Sequence, residues 1–225
     1  MATQATGGGS TVSFGNAPQA NNDIFTLTED ASNILVLNVM ANDLGGAAKT
    51  LFSVDDGTSA SASTKNYAPA DLLVKDVTYS NDAAGLAGTS DHSALGARIW
   101  IESDGTIHYN KSDINAQLQA LSAGGTLTDT FTYAIQLGNG TLSWATVTLQ
   151  FAGLNDAPTM VVGSTTANAA FSEAANTTGS STPDQVTGTI VFSDVDAHDT
   201  HTVSQSGPNF ACGRPGRLPR YKRRL

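Results

Sequence analysis

The sequence predicts an all-β protein: an antiparallel β-sandwich with one short helix, followed by an incomplete second repeat. Apolar and polar residues alternate in short runs along most of the chain, as they do in strands that bury one face. Glycine accounts for 22 of 225 residues while aromatic residues make up only 7%, which suits short strands joined by many turns. A single segment shows a helical period.

The strands are predicted in chain order from residue 24 onward. They are IFTLT (24–28), ILVLNV (34–39), LFSV (51–54), LLVKDVTYS (72–80), 98–102, 106–110, TDTFTYAIQL (128–137) and TLSWATVTLQF (141–151). The turn SDG (103–105) makes a hairpin of the fifth and sixth strands, and GNG (138–140) joins the last two. Because His108 alternates with Ile107 and Tyr109, we expect it on the surface side of its strand.

The helical period lies in KSDINAQLQALSAGG (111–125). Ile114, Leu118 and Leu121 recur at i, i+4 and i+7, which predicts an amphipathic helix of about two to three turns. Ser112 can cap its start, and the glycines at 124 and 125 end it.

Charge and cysteine content restrict the function classes. All 20 acidic residues precede residue 208, whereas the last 18 residues hold six basic residues and no acid. An acidic body disfavours nucleic acid as a partner and favours hard cations. The single cysteine, Cys212, lies in the basic tail, so the body has neither a thiol nucleophile nor a cysteine zinc site. No run approaches the length of a membrane span, and the N-terminus lacks the features of a secretory signal peptide.

The composition divides the chain into four parts. We expect a flexible N-terminal segment at 1–19, a β-sandwich repeat at 20–154, a truncated second repeat at 155–206 and a disordered basic tail at 207–225. The break lies in the turn-rich stretch AGLNDAPTM (152–160). We interpret the tail GPNFACGRPGRLPRYKRRL as foreign or out-of-frame sequence. The alternative is a native basic tail that binds anions or a membrane surface.

Two parts of the chain share a plan, which indicates a repeat. Asn16-Ala17-Pro18 and Asn155-Asp156-Ala157-Pro158 each lead into a strand with a glutamate. The stretch LSAGGTLTDTFTYAIQLGNGTLSWATVTLQFAGLNDAP (121–158) resembles the closing half of a VCBS-type, cadherin-like bacterial repeat, and VTGTIVFSDVDAHDTHTVS (186–204) resembles the opening half of the next. The stretch ANNDIFTLTEDASNILVLNVMANDLGG (20–46) is similar to the start of repeats in large RTX-type adhesins. The turn at 137–140 departs from the pattern, since it lacks the family's Asp-Gly.

The resemblance implies an immunoglobulin-like or cadherin-like sandwich with calcium near the module junctions. It also implies a large bacterial protein, secreted or at the cell surface, that is exported without an N-terminal signal peptide. Its partners would be neighbouring repeats of the same chain and a glycan or matrix ligand, with no membrane span. Carboxylate and amide oxygens are the ligands that calcium prefers. The predicted calcium ligands are Glu29, Asp30, Asn155, Asp156, Asp194 and Asp196.

A hydrolase is the alternative function. His198, Asp199 and His201 could bind zinc, and a zinc-bound water can hydrolyse an ester or a lactone near neutral pH. Neither HExxH nor Gly-x-Ser-x-Gly occurs in the sequence. The sequence therefore offers no recognisable catalytic motif, and whether the chain is an enzyme stays open at this point.

Overall fold

The computed structural model describes residues 19–56, 71–166 and 188–204, together with the backbone of two strands at 2–6 and 10–14. Within these ranges the chain is mostly β-structure with two short α-helices. The strands are β1 (Ala2–Thr6), β2 (Ser10–Phe14), β3 (Asp23–Thr28), β4 (Ile34–Leu37), β5 (Thr50–Asp55), β6 (Thr78–Tyr79), β7 (Ile99–Glu102), β8 (Ile107–Asn110), β9 (Thr126–Gln136), β10 (Leu142–Ala152), β11 (Thr159–Met160) and β12 (Phe192–Ser193). The helices are α1 (Asp82–Gly88) and α2 (Asn115–Leu118).

Two four-stranded sheets make up the main body of the described chain. One has the order β3-β10-β9-β5 and the other the order β4-β8-β7-β6. Both hairpins expected from the sequence are present, β7–β8 and β9–β10. Their turns contain Gly105 and Gly140 with φ of 85° and 84°, a conformation that glycine adopts without steric cost. A sandwich of two sheets therefore agrees with the sequence prediction.

The expectation of a purely antiparallel sandwich is wrong, because each sheet contains one parallel pair. Strand β3 runs parallel to β10, and β6 runs parallel to β7. Parallel neighbours need a long connection, and almost the whole first unit separates β3 from β10. This pairing places Thr28 opposite Ala152, so that the chain leaves both strands at the same end of the sandwich.

The core lies between the two sheets. In β10 the residues 145, 147, 149 and 151 are buried while their neighbours are more exposed, as the alternation in the sequence predicts. Their partners in β9 include Phe131 and Tyr133, both fully buried. The rings of Tyr109 and Phe151 join the two sheets, with their centroids 6.3 Å apart. Burial of these aromatic and aliphatic side chains is the main favourable contribution to the stability of the fold.

Two local predictions differ from the structure. The segment 72–80 is a strand only at β6, and a 3-10 turn at Asp71–Leu73 precedes it. The predicted helix begins as a 3-10 turn at Lys111–Ile114 and becomes α-helical only in α2. Its start is capped by the side chain of Asn110, which accepts a hydrogen bond from the Ser112 backbone at 3.3 Å. The capping residue is therefore Asn110, the last residue of β8, and not Ser112.

The long stretch 80–96 contains a helix that the sequence prediction missed, since only one helix was expected. Asn81 caps α1 by accepting from the Ala84 backbone at 3.0 Å. The helix covers the outer face of β7 and β8, which makes His108 only 9% exposed. The predicted surface position of His108 is therefore wrong.

Beyond β10 the described chain forms a small sheet of two strands, β11 and β12, which we call the second sheet because it belongs to the second described unit. Strand β11 pairs with β12, so Thr159 lies opposite Ser193 and Met160 opposite Phe192. Within the stretch 186–204, which resembles the opening half of a repeat, the strand β12 covers only Phe192–Ser193, and residues 186–187 lie outside the described part. The basic tail also lies outside it, as does the Asn16-Ala17-Pro18 motif. The strands β1 and β2 pair with each other within the segment expected to be flexible.

In the part of the chain that the structure describes, no helix has the length and apolarity needed to cross a membrane.

Candidate metal site at the linker

Three acidic side chains from distant parts of the sequence meet where β10 runs into the second sheet. A carboxylate oxygen from each of Glu29, Asp156 and Asp196 lies within 4.8 Å of the other two. Glu29 is fully buried, Asp196 is 5% exposed, and Asp156 is half-buried. All three belong to the six predicted calcium ligands, and we call them the linker cluster.

The parallel pairing of β3 and β10 positions Glu29. The Glu29 backbone N–H donates to the carbonyl of Ala152 at 3.0 Å, which continues the ladder by one residue. The Glu29 side chain then reaches the linker, where Oε1 accepts from the Leu154 backbone at 2.6 Å. Lys111, which is 3% exposed, donates from Nζ to the Glu29 carbonyl. Hydrogen bonds to Ala152, Leu154 and Lys111 thus fix both the backbone and the side chain of Glu29.

The second sheet positions the other two acids. Pairing of β11 with β12 brings the loop after Ser193 beside the linker. There Asp196 accepts from the Asp156 backbone through Oδ2 at 2.8 Å. The same loop contacts the first unit, because the Ala197 backbone N–H donates to the Ala120 carbonyl at 3.3 Å. The linker cluster therefore spans the joint between the two described units.

Each acid of the linker cluster keeps one carboxylate oxygen that is buried and has no hydrogen-bond partner. These atoms are Glu29 Oε2, Asp156 Oδ2 and Asp196 Oδ1. Leaving a buried charged oxygen without a partner is costly. A calcium ion binds oxygens at about 2.4 Å, so two of its ligands lie at most about 4.8 Å apart. The linker cluster satisfies this limit and fits a hard divalent cation.

The other three predicted ligands lie outside the group of three. Asp30 is exposed and lies outside the cluster of three. The Asn155 side chain donates to the Asp156 carbonyl at 2.8 Å. Asp194 Oδ1 accepts from the Asp196 backbone at 3.1 Å, and its other oxygen lies 3.0 Å from His201 Nε2. Asn155 and Asp194 therefore shape the two loops that hold the linker cluster.

The proposed zinc ligands of the hydrolase alternative are not brought together. His201 stacks on Phe192 with ring centroids 5.0 Å apart and pairs with Asp194. The His198 side chain is exposed, and its backbone donates to Ser122 Oγ at 3.3 Å. In the described ranges, neither of the two groups of three metal-capable side chains contains His198, Asp199 or His201. The geometry gives this alternative no support.

Sequence reasoning missed the residues of the first unit that dock the second. Ala120 and Ser122 accept hydrogen bonds from the loop after Asp196. Gly153 packs closely against Ser122, since a Cβ added to this glycine would lie 2.5 Å from the Ser122 carbonyl oxygen. Lys111 was also missed. The sequence indicated only that the segment 111–125 has a helical period, and this does not show what the segment packs against.

Burial and mutual repulsion raise the acid pKa values in the linker cluster. The pKa of Glu29 is raised by burial and then by the charges of Asp156 and Asp196, while the hydrogen bond from Leu154 opposes the change. The pKa of Asp156 is raised by burial and by the neighbouring charge of Asp196. A bound cation would favour the charged forms of these groups.

Three other buried or half-buried acids, Asp23, Asp76 and Asp91, have raised pKa values too. Burial and the charge of Asp43 raise the pKa of Asp23 to about 6. Burial and neighbouring aspartates raise the pKa of Asp76 to about 7 and that of Asp91 to about 6. All of these groups bind protons more readily in the folded chain than in the unfolded one.

This pattern predicts how the stability of the calcium-free protein depends on pH. An acid with a raised folded pKa contributes stability below its unfolded pKa and loses it as pH rises through the folded pKa. We therefore expect the midpoint of urea unfolding in chelator to fall between pH 5 and pH 7.5. Asp104 and Asp113, whose pKa values are lowered, change stability only below this window. A midpoint that stays constant or rises between pH 5 and pH 7.5 would contradict the prediction.

No protein-family model matches the sequence, and no curated protein matches it. The kinship to VCBS-type and cadherin-like repeats stays a prediction.

Proposed function

We propose that the chain is a structural or adhesive repeat module whose joint is stiffened by calcium at the linker cluster. The observation that carries this proposal is the convergence of Glu29, Asp156 and Asp196 across the joint, each with a buried oxygen that lacks a partner. Because the three residues are far apart in the sequence, only folding of the chain brings them together. The sandwich is then an immunoglobulin-like or cadherin-like module, and the second sheet belongs to the next repeat.

Calcium would act mechanically in this module. Without a cation, three carboxylates face one another and repel, which favours separation of the second sheet from the first unit. With a cation, Glu29 from the first unit, Asp156 from the linker and Asp196 from the second unit share one ion. The joint then gains stiffness because bending it would break metal–oxygen bonds. Residues of the chain supply no bond-breaking chemistry in this role.

The proposed setting is the bacterial cell surface or the secreted state. Calcium sites in extracellular modules often bind with dissociation constants of about 10⁻⁴–10⁻³ M. A site of that strength is filled where calcium is abundant and empty where it is scarce. The proposed partners are neighbouring repeats of the same chain and a glycan or matrix ligand presented by the array.

Limited proteolysis tests the stiffened joint. The linker between Gly153 and Thr159 should be cut readily in chelator and resist cleavage in saturating calcium, because cleavage requires local opening. Mass spectrometry of the fragments identifies the cut site. Glu29→Gln should remain as sensitive in calcium as in chelator. Equal cleavage of the wild-type linker in both conditions would refute a calcium-stiffened joint.

A further inference from the structure

A second group of side chains lies beneath α1, on the outer face of the sheet β4-β8-β7-β6. His108 faces Trp100 across the β7–β8 pairing, and Glu102 lies two residues after Trp100 on the same face. Gly85 of α1 packs on Trp100 so closely that an added Cβ would lie 2.2 Å from the indole Nε1. The helix also brings Asp82, its first residue, to the histidine.

The group combines one imidazole with two carboxylates. A ligand-capable atom from each of Asp82, Glu102 and His108 lies within 4.8 Å of the other two. His108 Nδ1 lies 2.6 Å from Asp82 Oδ1, and Glu102 Oε1 accepts from Trp100 Nε1 at 3.0 Å. Glu102 is 5% exposed and His108 9%.

One atom in this group has no hydrogen-bond partner in the protein. His108 Nε2 is buried and unpartnered, although the other ring nitrogen is bound to a carboxylate. When the neutral ring donates from Nδ1 to Asp82, Nε2 carries a free lone pair. A histidine held by a carboxylate through one nitrogen, with the other nitrogen free, has the arrangement that metal-ligating histidines adopt. A buried nitrogen left without any partner would be costly.

We infer that Asp82, Glu102 and His108 form a site for a divalent transition metal of the zinc class. His108 supplies the nitrogen ligand through Nε2, Glu102 supplies a carboxylate oxygen, and Asp82 orients the ring. Imidazole nitrogen suits zinc, copper and nickel, whereas calcium prefers oxygen alone. The Asp82 side chain is 48% exposed, so the group lies close to the protein surface on that side. This site shares no residue with the linker cluster, so either can fail without the other.

Cobalt(II) and zinc(II) binding to the untagged 225-residue chain in saturating calcium tests the site. We expect one equivalent of cobalt to give visible d–d absorption bands, and zinc to displace it. His108→Asn should abolish the bands, and Glu102→Gln should weaken cobalt binding at least tenfold. The matched control is the double variant His198→Ala/His201→Ala, which should bind as the wild type does.

A measurement on the wild type covers the case in which a variant fails to fold. In ¹⁵N spectra of the imidazole groups, zinc should shift the Nε2 signal of His108 and leave the signals of His92 and His198 in place. Absence of stoichiometric binding, retention of binding in folded His108→Asn, or loss of binding in the control double variant would each overturn the inference. Loss of the calcium response alone would leave it standing.

Discussion

Calcium is expected to raise the melting temperature of this protein by roughly 5–10 °C at 100 times its dissociation constant. A ligand that binds only the folded state adds about 2.7 kcal/mol at that concentration. For a domain of about 150–250 residues, 1 kcal/mol moves the melting temperature by about 2–4 °C. The physical reason is the linker cluster, where the ion replaces repulsion among three carboxylates with shared coordination. Differential scanning calorimetry in chelator and in calcium measures the rise.

Two single variants locate this effect. Asp196→Asn keeps the oxygen that accepts from the Asp156 backbone, so its fold should be preserved while the calcium-dependent rise is lost. Its melting temperature in chelator should equal or exceed that of the wild type, because one repelling charge is gone. The matched control, Asp30→Asn, removes the same charge from an exposed neighbour and should keep most of the rise. A full calcium response in Asp196→Asn would remove this residue from the site.

The second large effect is expected from Gly85→Ala in α1. Alanine favours a helix over glycine by about 1 kcal/mol, so an exposed helix would gain stability. Here the added methyl group would lie 2.2–2.5 Å from atoms of the Trp100 ring, which is 1% exposed. Overpacking of this kind costs about 1–3 kcal/mol. Because the contact is this close, the upper end of that range applies, and after subtraction of the helix gain we expect a net loss of about 1–2 kcal/mol, measured by urea unfolding.

The control for this prediction is Gly163→Ala. Gly163 has no atom within 4 Å of an added Cβ, and its φ is not positive. Its substitution should change the free energy of unfolding by less than about 0.5 kcal/mol. If Gly85→Ala were as stable as the wild type, α1 would not be packed on Trp100 as described.

The sandwich was predictable because its strands carry their own signal. Alternation at 145, 147, 149 and 151 in β10 depends only on which face is buried, and the same residues line the core. The parallel pairing of β3 with β10 could not be read from the sequence in this way. It depends on which distant strand completes the edge of the sheet, and neither strand differs locally from an antiparallel one.

Helix α1 shows the opposite case. Its sequence, DAAGLAG, is too short and too rich in glycine and alanine to show an apolar period. What holds it is the close approach of Gly85 to Trp100, a contact between residues 15 apart in sequence. His108 packs between Asp82 of this helix and the Trp100 ring, which explains why a residue with the alternation of a surface position is buried.

The segments that meet in the linker cluster were among those selected from the sequence, whereas the side chains that face one another there were only partly predictable. Residues 29–30, 155–156 and 194–196 do meet, and Glu29, Asp156 and Asp196 face one another. Asp30 follows Glu29 and is exposed. The Asp194 side chain accepts from the Asp196 backbone, a local turn that an aspartate makes with its own loop.

The location of a calcium ion in a crystal tests the central claim most directly. Crystals grown in calcium and measured at long wavelength should show one anomalous peak in the linker cluster. The peak should lie about 2.3–2.6 Å from a carboxylate oxygen of each of Glu29, Asp156 and Asp196. A protein that binds calcium elsewhere, or a linker cluster whose oxygens bond only to protein and water in saturating calcium, would contradict the account.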